Sequence, residues 1–192
     1  DYYPNAAEVH VSLTVRGKTP EETADRFRLG ESSIREILGC CIYDDENNSL
    51  ETIVGRILKD KGLTLALAES CTGGLMAHHL TLIAGSSDYF LGGIVAYANA
   101  FKEQLLGVNK ETLDNFGAVS RETATEMALG AKKISGADIG LSITGIAGPG
   151  GGSLEKPVGT VCFAIAGNEK TISLRYRFSG NRTMIQIKAA MT

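Results

Sequence analysis

The sequence predicts an α/β fold: a three-layer α/β/α sandwich around a mixed sheet, preceded by a small α+β module. Three observations carry this. From Ser49 onward, short apolar runs of strand type are interspersed with segments of helical periodicity, the pattern of a sheet covered on both faces. The last two strand-like runs are joined by "GNE", a hairpin signal that makes the sheet mixed rather than all parallel. Before Ser49 the pattern differs, with one alternating run, one long helix and one short apolar run. The expected division is therefore 1–48 and 49–192.

In the first module "EVHVSLTV" alternates Val9, Val11, Leu13 and Val15 against His10, Ser12 and Thr14, a strand with one buried face. A helix starts at Thr19 as cap, with Pro20 in its first position and two acids in its first turn. It runs to about Leu38, interrupted at Gly30. "CCIY" reads as a short strand and "DDENN" as a turn, so Asp44-Asp45-Glu46 is a solvated turn rather than a metal site. In the second part Ser49 caps the helix "LETIVGRILKDK", which Gly62 ends. Strand "LTLALA", helix "GLMAHHLTLIA", strand "GGIVAYA" and helix "FKEQLLG" follow, then a helix from Ser120 to about Ser135. Strands "DIGLSIT", "GTVCFAIA" and "KTISLRYRF" come next, and a last helix begins near Asn181.

Composition narrows the function. Of 192 residues, 43% are hydrophobic and 21% charged, the profile of a soluble globular protein. The net charge of −3 comes without a basic block, which argues against nucleic acid or an anionic membrane as partner. No apolar run approaches the ~20 residues that span a bilayer. The opening "DYYPNAAEVH" has neither the basic nor the apolar region of a signal peptide. It also lacks a starting methionine, and the chain stops inside a helical pattern, so a fragment of a longer protein is expected. Cys40, Cys41, Cys71 and Cys162 form no CxxC, and the three histidines have no ligand spacing. Reduced thiols in a cytoplasmic compartment, with no metal and no organic cofactor, are expected.

Three clusters could carry chemistry. "ESCTGG", Glu69 to Gly74, lies where a strand ends and a helix begins, the edge of an α/β sheet where ligands bind. Its glycines let backbone approach a ligand, and free amides of the helix start could hold an oxyanion. Ser70 is a nucleophile or an ordinary cap, and Cys71 is the rival nucleophile. In "VAYANAFK", Tyr97 and Asn99 project at a strand tip and Lys102 falls in the first helical turn. The dipole there opposes its charge, so Lys102 is either a neutral base or a surface lysine. The third cluster, "SITGIAGPGGGSLEKPVGT", belongs to a stretch with seven glycines between 140 and 159. It is a mobile loop or a backbone-lined wall for a phosphate or flat ring. Neither a Walker P-loop nor a GxSxG elbow occurs.

Together these stretches resemble a known family. "LALAESCTGGLMA", "GSSDYFLGGIVAYANAFKEQLLGV", "GAVSRETATEMALGA" and "SITGIAGPGGGSLEKPVGTV" are similar to the C-terminal domain of the competence/damage-inducible CinA family, the nicotinamide-nucleotide amidase domain of bacteria. The preceding residues resemble the KH-like middle region of that family, although Gly17-Lys18-Thr19-Pro20 does not supply the GXXG clamp for RNA. The resemblance implies hydrolysis of the carboxamide of nicotinamide mononucleotide to nicotinate mononucleotide and ammonia. It makes Ser70 the nucleophile and Lys102, directly or through Tyr97, the base, with amides of Thr72 and Gly73 as oxyanion donors. Glu69, Thr72, Gly73, Gly74, Asn99, Thr144, Gly145 and Gly148 are expected at the nucleotide, and Arg182 is a phosphate partner or a solvated arginine. The resemblance implies a longer final helix than the residues after Asn181 provide. A homodimer or higher homo-oligomer is expected. Two rival readings remain: a non-catalytic nucleotide-binding module and an interaction protein.

Overall fold

A computed structural model describes residues 1–5 and 8–192. The chain forms two compact units, Asp1–Ile53 and Val54–Thr192, divided inside a helix rather than at Ser49. The first unit pairs β1 (Tyr2–Asn5) with β2 (Glu8–Val11) as an antiparallel hairpin. β1 is not evident from the sequence, and the strand at Glu8 stops four residues short of Val15 (15 − 11). Its apolar side is not buried, since Val9 and Val11 are both exposed. α1 (Pro20–Leu38) is capped by Thr19 and passes through Gly30 without interruption. Gly30 has a packing reason: a Cβ there would stand 3.1 Å from the Leu13 side chain. The strand expected at Cys40–Tyr43 is absent. Gly39, at φ 50°, turns the chain into a single 3-10 turn, Gly39–Cys41, directly after α1.

The second unit is built on five strands in the order β4-β3-β5-β6-β7. α2 (Leu50–Lys61), whose amide of Thr52 bonds the Ser49 hydroxyl, leads into it. β3 (Leu65–Glu69), α3 (Leu75–Thr81), β4 (Phe90–Val95), α4 (Asn99–Leu106), α5 (Lys110–Phe116) and α6 (Arg121–Ser135) follow. β5 (Ile139–Gly145), β6 (Thr160–Ala166), β7 (Thr171–Arg177) and α7 (Arg182–Ala190) complete it. β3 pairs in parallel with both β4 and β5, whereas β5–β6 and β6–β7 are antiparallel. The mixed sheet is as the sequence reads. α5 is not in that reading: "KETLDNF" is largely polar, and only Leu113 is buried.

The two faces follow from alternation along β3. Leu65 and Leu67 pack on one side with Leu58 and Leu80, the side of α2 and α3. Ala66 and Ala68 face the other way, against Leu106, Leu113 and Met127 of α4, α5 and α6. α7 covers β5 and β6 through Ile185 and Ala189 on Ile143, Val161 and Phe163. On the α6 side the contact is made by small residues: Ala124 and Ala128 lie on Cys162 and Ala164. Gly140 of β5 belongs to this contact, since a Cβ there would fall 2.0 Å from the Ala128 carbonyl oxygen. Gly130 of α6 faces α4, where a Cβ would fall 2.0 Å from the Leu106 carbonyl oxygen. The parallel trio β4-β3-β5 therefore ends on one edge of the sheet, and the chain emerging there carries the polar clusters.

Candidate active site

Ser70 is the first residue past β3, and its amide bonds the Ile143 carbonyl at 2.9 Å, extending the parallel ladder by one step. The strand thus fixes the backbone from which the hydroxyl projects. On the neighbouring strand, β4 ends at Val95 and α4 begins at Asn99, which puts Lys102 in the first turn. Lys102 is 1% exposed. Its Nζ lies 3.1 Å from Ser70 Oγ, 2.7 Å from the Ala96 carbonyl and 3.3 Å from the Tyr97 carbonyl. No carboxylate takes part in these contacts. Burial pushes its pKa below the ordinary lysine value, opposed only by the charge that Cys71 would carry if it were ionised. In the neutral amine the two remaining N–H groups point to the two carbonyls, so the lone pair is left for the serine proton. Such an arrangement can pass the serine proton to the amine when Lys102 is neutral.

Cys71, the rival nucleophile, is buried, and its thiol is pushed up to about 12, chiefly by that burial and further by the charge of Glu69. A thiol so high is not a thiolate near neutrality, and it fills space beside Gly145. Gly145 has to be glycine: a Cβ would stand 3.0 Å from Cys71 Sγ and 2.8 Å from Val161. Around the dyad lies a cavity of about 200 Å³, bounded by Ser70, Tyr97, Lys102, Ala118, Val119, Thr144, Gly145, Ala147 and Arg182 among others.

The other expected residues divide. Thr144 and Gly145 reach the cavity from the end of β5, with the Thr144 hydroxyl donating to the Ala118 carbonyl at 2.7 Å. Arg182 opens α7 and donates to the Gly148 carbonyl and to the Tyr97 hydroxyl, both at 2.8 Å. Tyr97 therefore meets Lys102 through its carbonyl, while its hydroxyl is engaged at the rim. Gly148 takes part by holding Arg182. Glu69 does not face the cavity: its carboxylate accepts the amides of Gly74, Met76 and Ala77 at 3.0, 3.2 and 2.8 Å. The start of α3 is thus already occupied by an anion and is not free for a ligand. The Gly73 amide is likewise spent, on the Ser70 carbonyl at 3.1 Å, and is not a free oxyanion donor. Thr72, Gly73 and Gly74 line a separate hollow against Thr183 and Gln186 of α7. Asn99 starts α4 outside the cavity lining.

Three contributors are absent from the sequence reading. Ala96 supplies only a carbonyl, which no motif displays. Gln186 donates to the Cys71 carbonyl at 2.8 Å and supports the turn after Ser70; its place one helical turn after Arg182 is the signal that could have found it. Lys156 donates to the Phe116 carbonyl at 2.5 Å, tying the glycine loop to the segment that brings Ala118 and Val119 to the cavity.

The model of the CinA C-terminal domain matches residues 47–192. The chain belongs to the CinA family. A CinA-like protein of Geotalea uraniireducens is 46% identical over 183 residues, 95% of this chain and 44% of that protein. One from Kosmotoga olearia is 49% identical over 189 residues, 98% and 46% respectively. The chain thus spans less than half the length of these curated relatives. Among solved structures, the competence/damage-inducible protein CihA of Agrobacterium tumefaciens is 43% identical with a TM-score of 0.73, over 78% of this chain and 92% of that one. A CinA-superfamily protein of Escherichia coli is 30% identical with a TM-score of 0.73, over 80% and 92%. This CinA-family fold carries its Ser70–Lys102 pair at the carboxyl edge of the parallel strands.

Proposed function

We propose that the chain is a serine amidohydrolase that removes the carboxamide nitrogen of nicotinamide mononucleotide. The observation that carries this is the 3.1 Å contact between Ser70 Oγ and a buried Lys102 Nζ whose pKa is lowered. Ser70 attacks the carboxamide carbon while Lys102 takes its proton. The same proton then goes to the departing ammonia, and water, deprotonated by Lys102, releases nicotinate mononucleotide. Size supports a ring in the cavity. About 200 Å³ lies below the ~300–1,000 Å³ that enclose drug-sized ligands. The ring and its amide fit inside, and the ribose phosphate stays at the rim, where Arg182 is. A guanidinium already holding a carbonyl and a phenol can exchange them for two phosphate oxygens.

Ammonia release from the mononucleotide by the purified chain is the direct test. Ser70→Ala should abolish it and Cys71→Ala should keep most of it. Binding without ammonia release would support the non-catalytic reading instead. Nicotinamide riboside, lacking the phosphate, should fall in kcat/KM by roughly ten- to a hundredfold, the ~1.5–3 kcal/mol of one charge-assisted contact. Equal values for the two compounds would remove Arg182 from phosphate binding.

A further inference from the structure

We propose that the same site is also an esterase, acting on aryl esters of short or ring-sized carboxylic acids. This rests on the reading of Ser70 and Lys102 as nucleophile and base, but not on the identity of the nucleotide. An amide asks two things of Lys102: to take the serine proton and to hand it to a nitrogen that cannot leave as an anion. A phenolate leaves unaided, so an aryl ester asks for the first alone. The cavity wall does not select against the exchange. No carboxylate lines it, and Lys102 and Arg182 are the basic groups in its lining. Apart from Tyr97 the rest is small, with Ala118, Val119, Gly145 and Ala147 offering no contact specific to a leaving nitrogen.

In the step itself, Ser70 Oγ bonds to the acyl carbon, its proton passes to Lys102 Nζ, and the aryl–oxygen pair departs as phenolate. Lys102 gives that proton to solvent or to the departed phenolate. As a free amine it then takes a proton from the attacking water, which splits the acyl-serine into carboxylic acid and Ser70, and the Lys102 proton returns to Ser70 Oγ. Redox chemistry and a co-reactant other than water are not needed. The acyl group is limited by space. The cavity is about 200 Å³, and Gly145 locks its wall against Cys71 and Val161, so acetyl and benzoyl lie inside it, whereas most of a long alkyl chain would lie beyond the rim, without apolar cover.

The test uses p-nitrophenyl acetate and p-nitrophenyl decanoate with the whole chain, with ammonia release from nicotinamide mononucleotide measured in parallel. Nitrophenol should appear from the acetate at least tenfold faster than with Ser70→Ala, and the decanoate should give a smaller excess over that variant than the acetate does. Rapid quenching and peptide mass spectrometry should find acetyl on Ser70, a readout independent of whether the variant folds. Lys102→Arg should lose more amidase than esterase activity, because only the amide needs the second proton transfer. Ammonia without Ser70-dependent nitrophenol overturns the esterase and leaves the amidase. Nitrophenol without ammonia upholds the esterase and removes the nucleotide reading. Loss of both removes the dyad itself.

Discussion

A lysine 1% exposed, with neutral partners only, is the residue on which the site turns. Its burial has a stability cost with a definite pH dependence. The folded pKa lies below the unfolded value of 10.5. Between those two values the unfolded chain still holds a proton that the native state has released, so stability rises with pH. Below the folded pKa both states carry the proton, and the native state bears the full cost of burying it. Lys102→Met removes that cost while keeping length and apolar stem. The difference in unfolding free energy, wild type minus Lys102→Met, should therefore move in favour of the wild type between neutral pH and about pH 10. Denaturant titrations of both proteins across that range measure it, and a difference independent of pH would mean that Lys102 titrates normally. Ser70 and Lys102 were legible in the sequence because each sits beside a local transition from strand to helix. The role of Glu69 was not. A carboxylate next to a nucleophile looks like a substrate contact until the turn folds it back onto amides five to eight residues ahead.

Among the elements, α6 shows how a small residue sets the approach of a neighbouring helix. Alanine improves a helix over glycine by ~1 kcal/mol, yet at Gly130 its Cβ would fall 2.0 Å from a backbone oxygen. Relieving that overlap means moving α4 against α6, for which ~1–3 kcal/mol is the usual cost of overpacking, so the clash outweighs the propensity. Gly130→Ala should lower Tm by several degrees in calorimetry. Gly150→Ala, where a Cβ meets nothing within 4 Å, should leave Tm unchanged. The strands and long helices of the second unit were readable because apolar periodicity and caps agree, as at Ser120, whose hydroxyl accepts from the Thr123 amide. α5 escaped because one buried leucine leaves no period to detect. The strand at Cys40–Tyr43 misled because β-type composition does not by itself supply a partner edge.

At the scale of the whole chain, the two units differ in how much they bury. α1 has 19 residues and none is buried, whereas α6 buries six of its 15. Local opening follows buried contacts, so hydrogen exchange should be at least ~100-fold faster at α1 amides than at the central amides of α6. Equal protection would mean that α1 is covered by contacts these exposures do not reveal. Every residue of the cavity belongs to the second unit, and no helix among the described residues is long and apolar enough to cross a membrane.

The change of strand direction within the sheet separates two tasks. Ser70 and Lys102 hang from β3 and from the turn after β4, in the parallel half. Residues 146–159, which hold Arg182 through Gly148 and carry Lys156, connect β5 and β6 in the antiparallel half. An antiparallel connection needs no crossover helix, so its length is not fixed by the layer above it. The proposed reacting pair and the surface proposed to choose its substrate can therefore evolve at different rates. Insertions between Ile146 and Gly159 could re-tailor the proposed site to other acyl groups while the Ser70–Lys102 distance stays as it is.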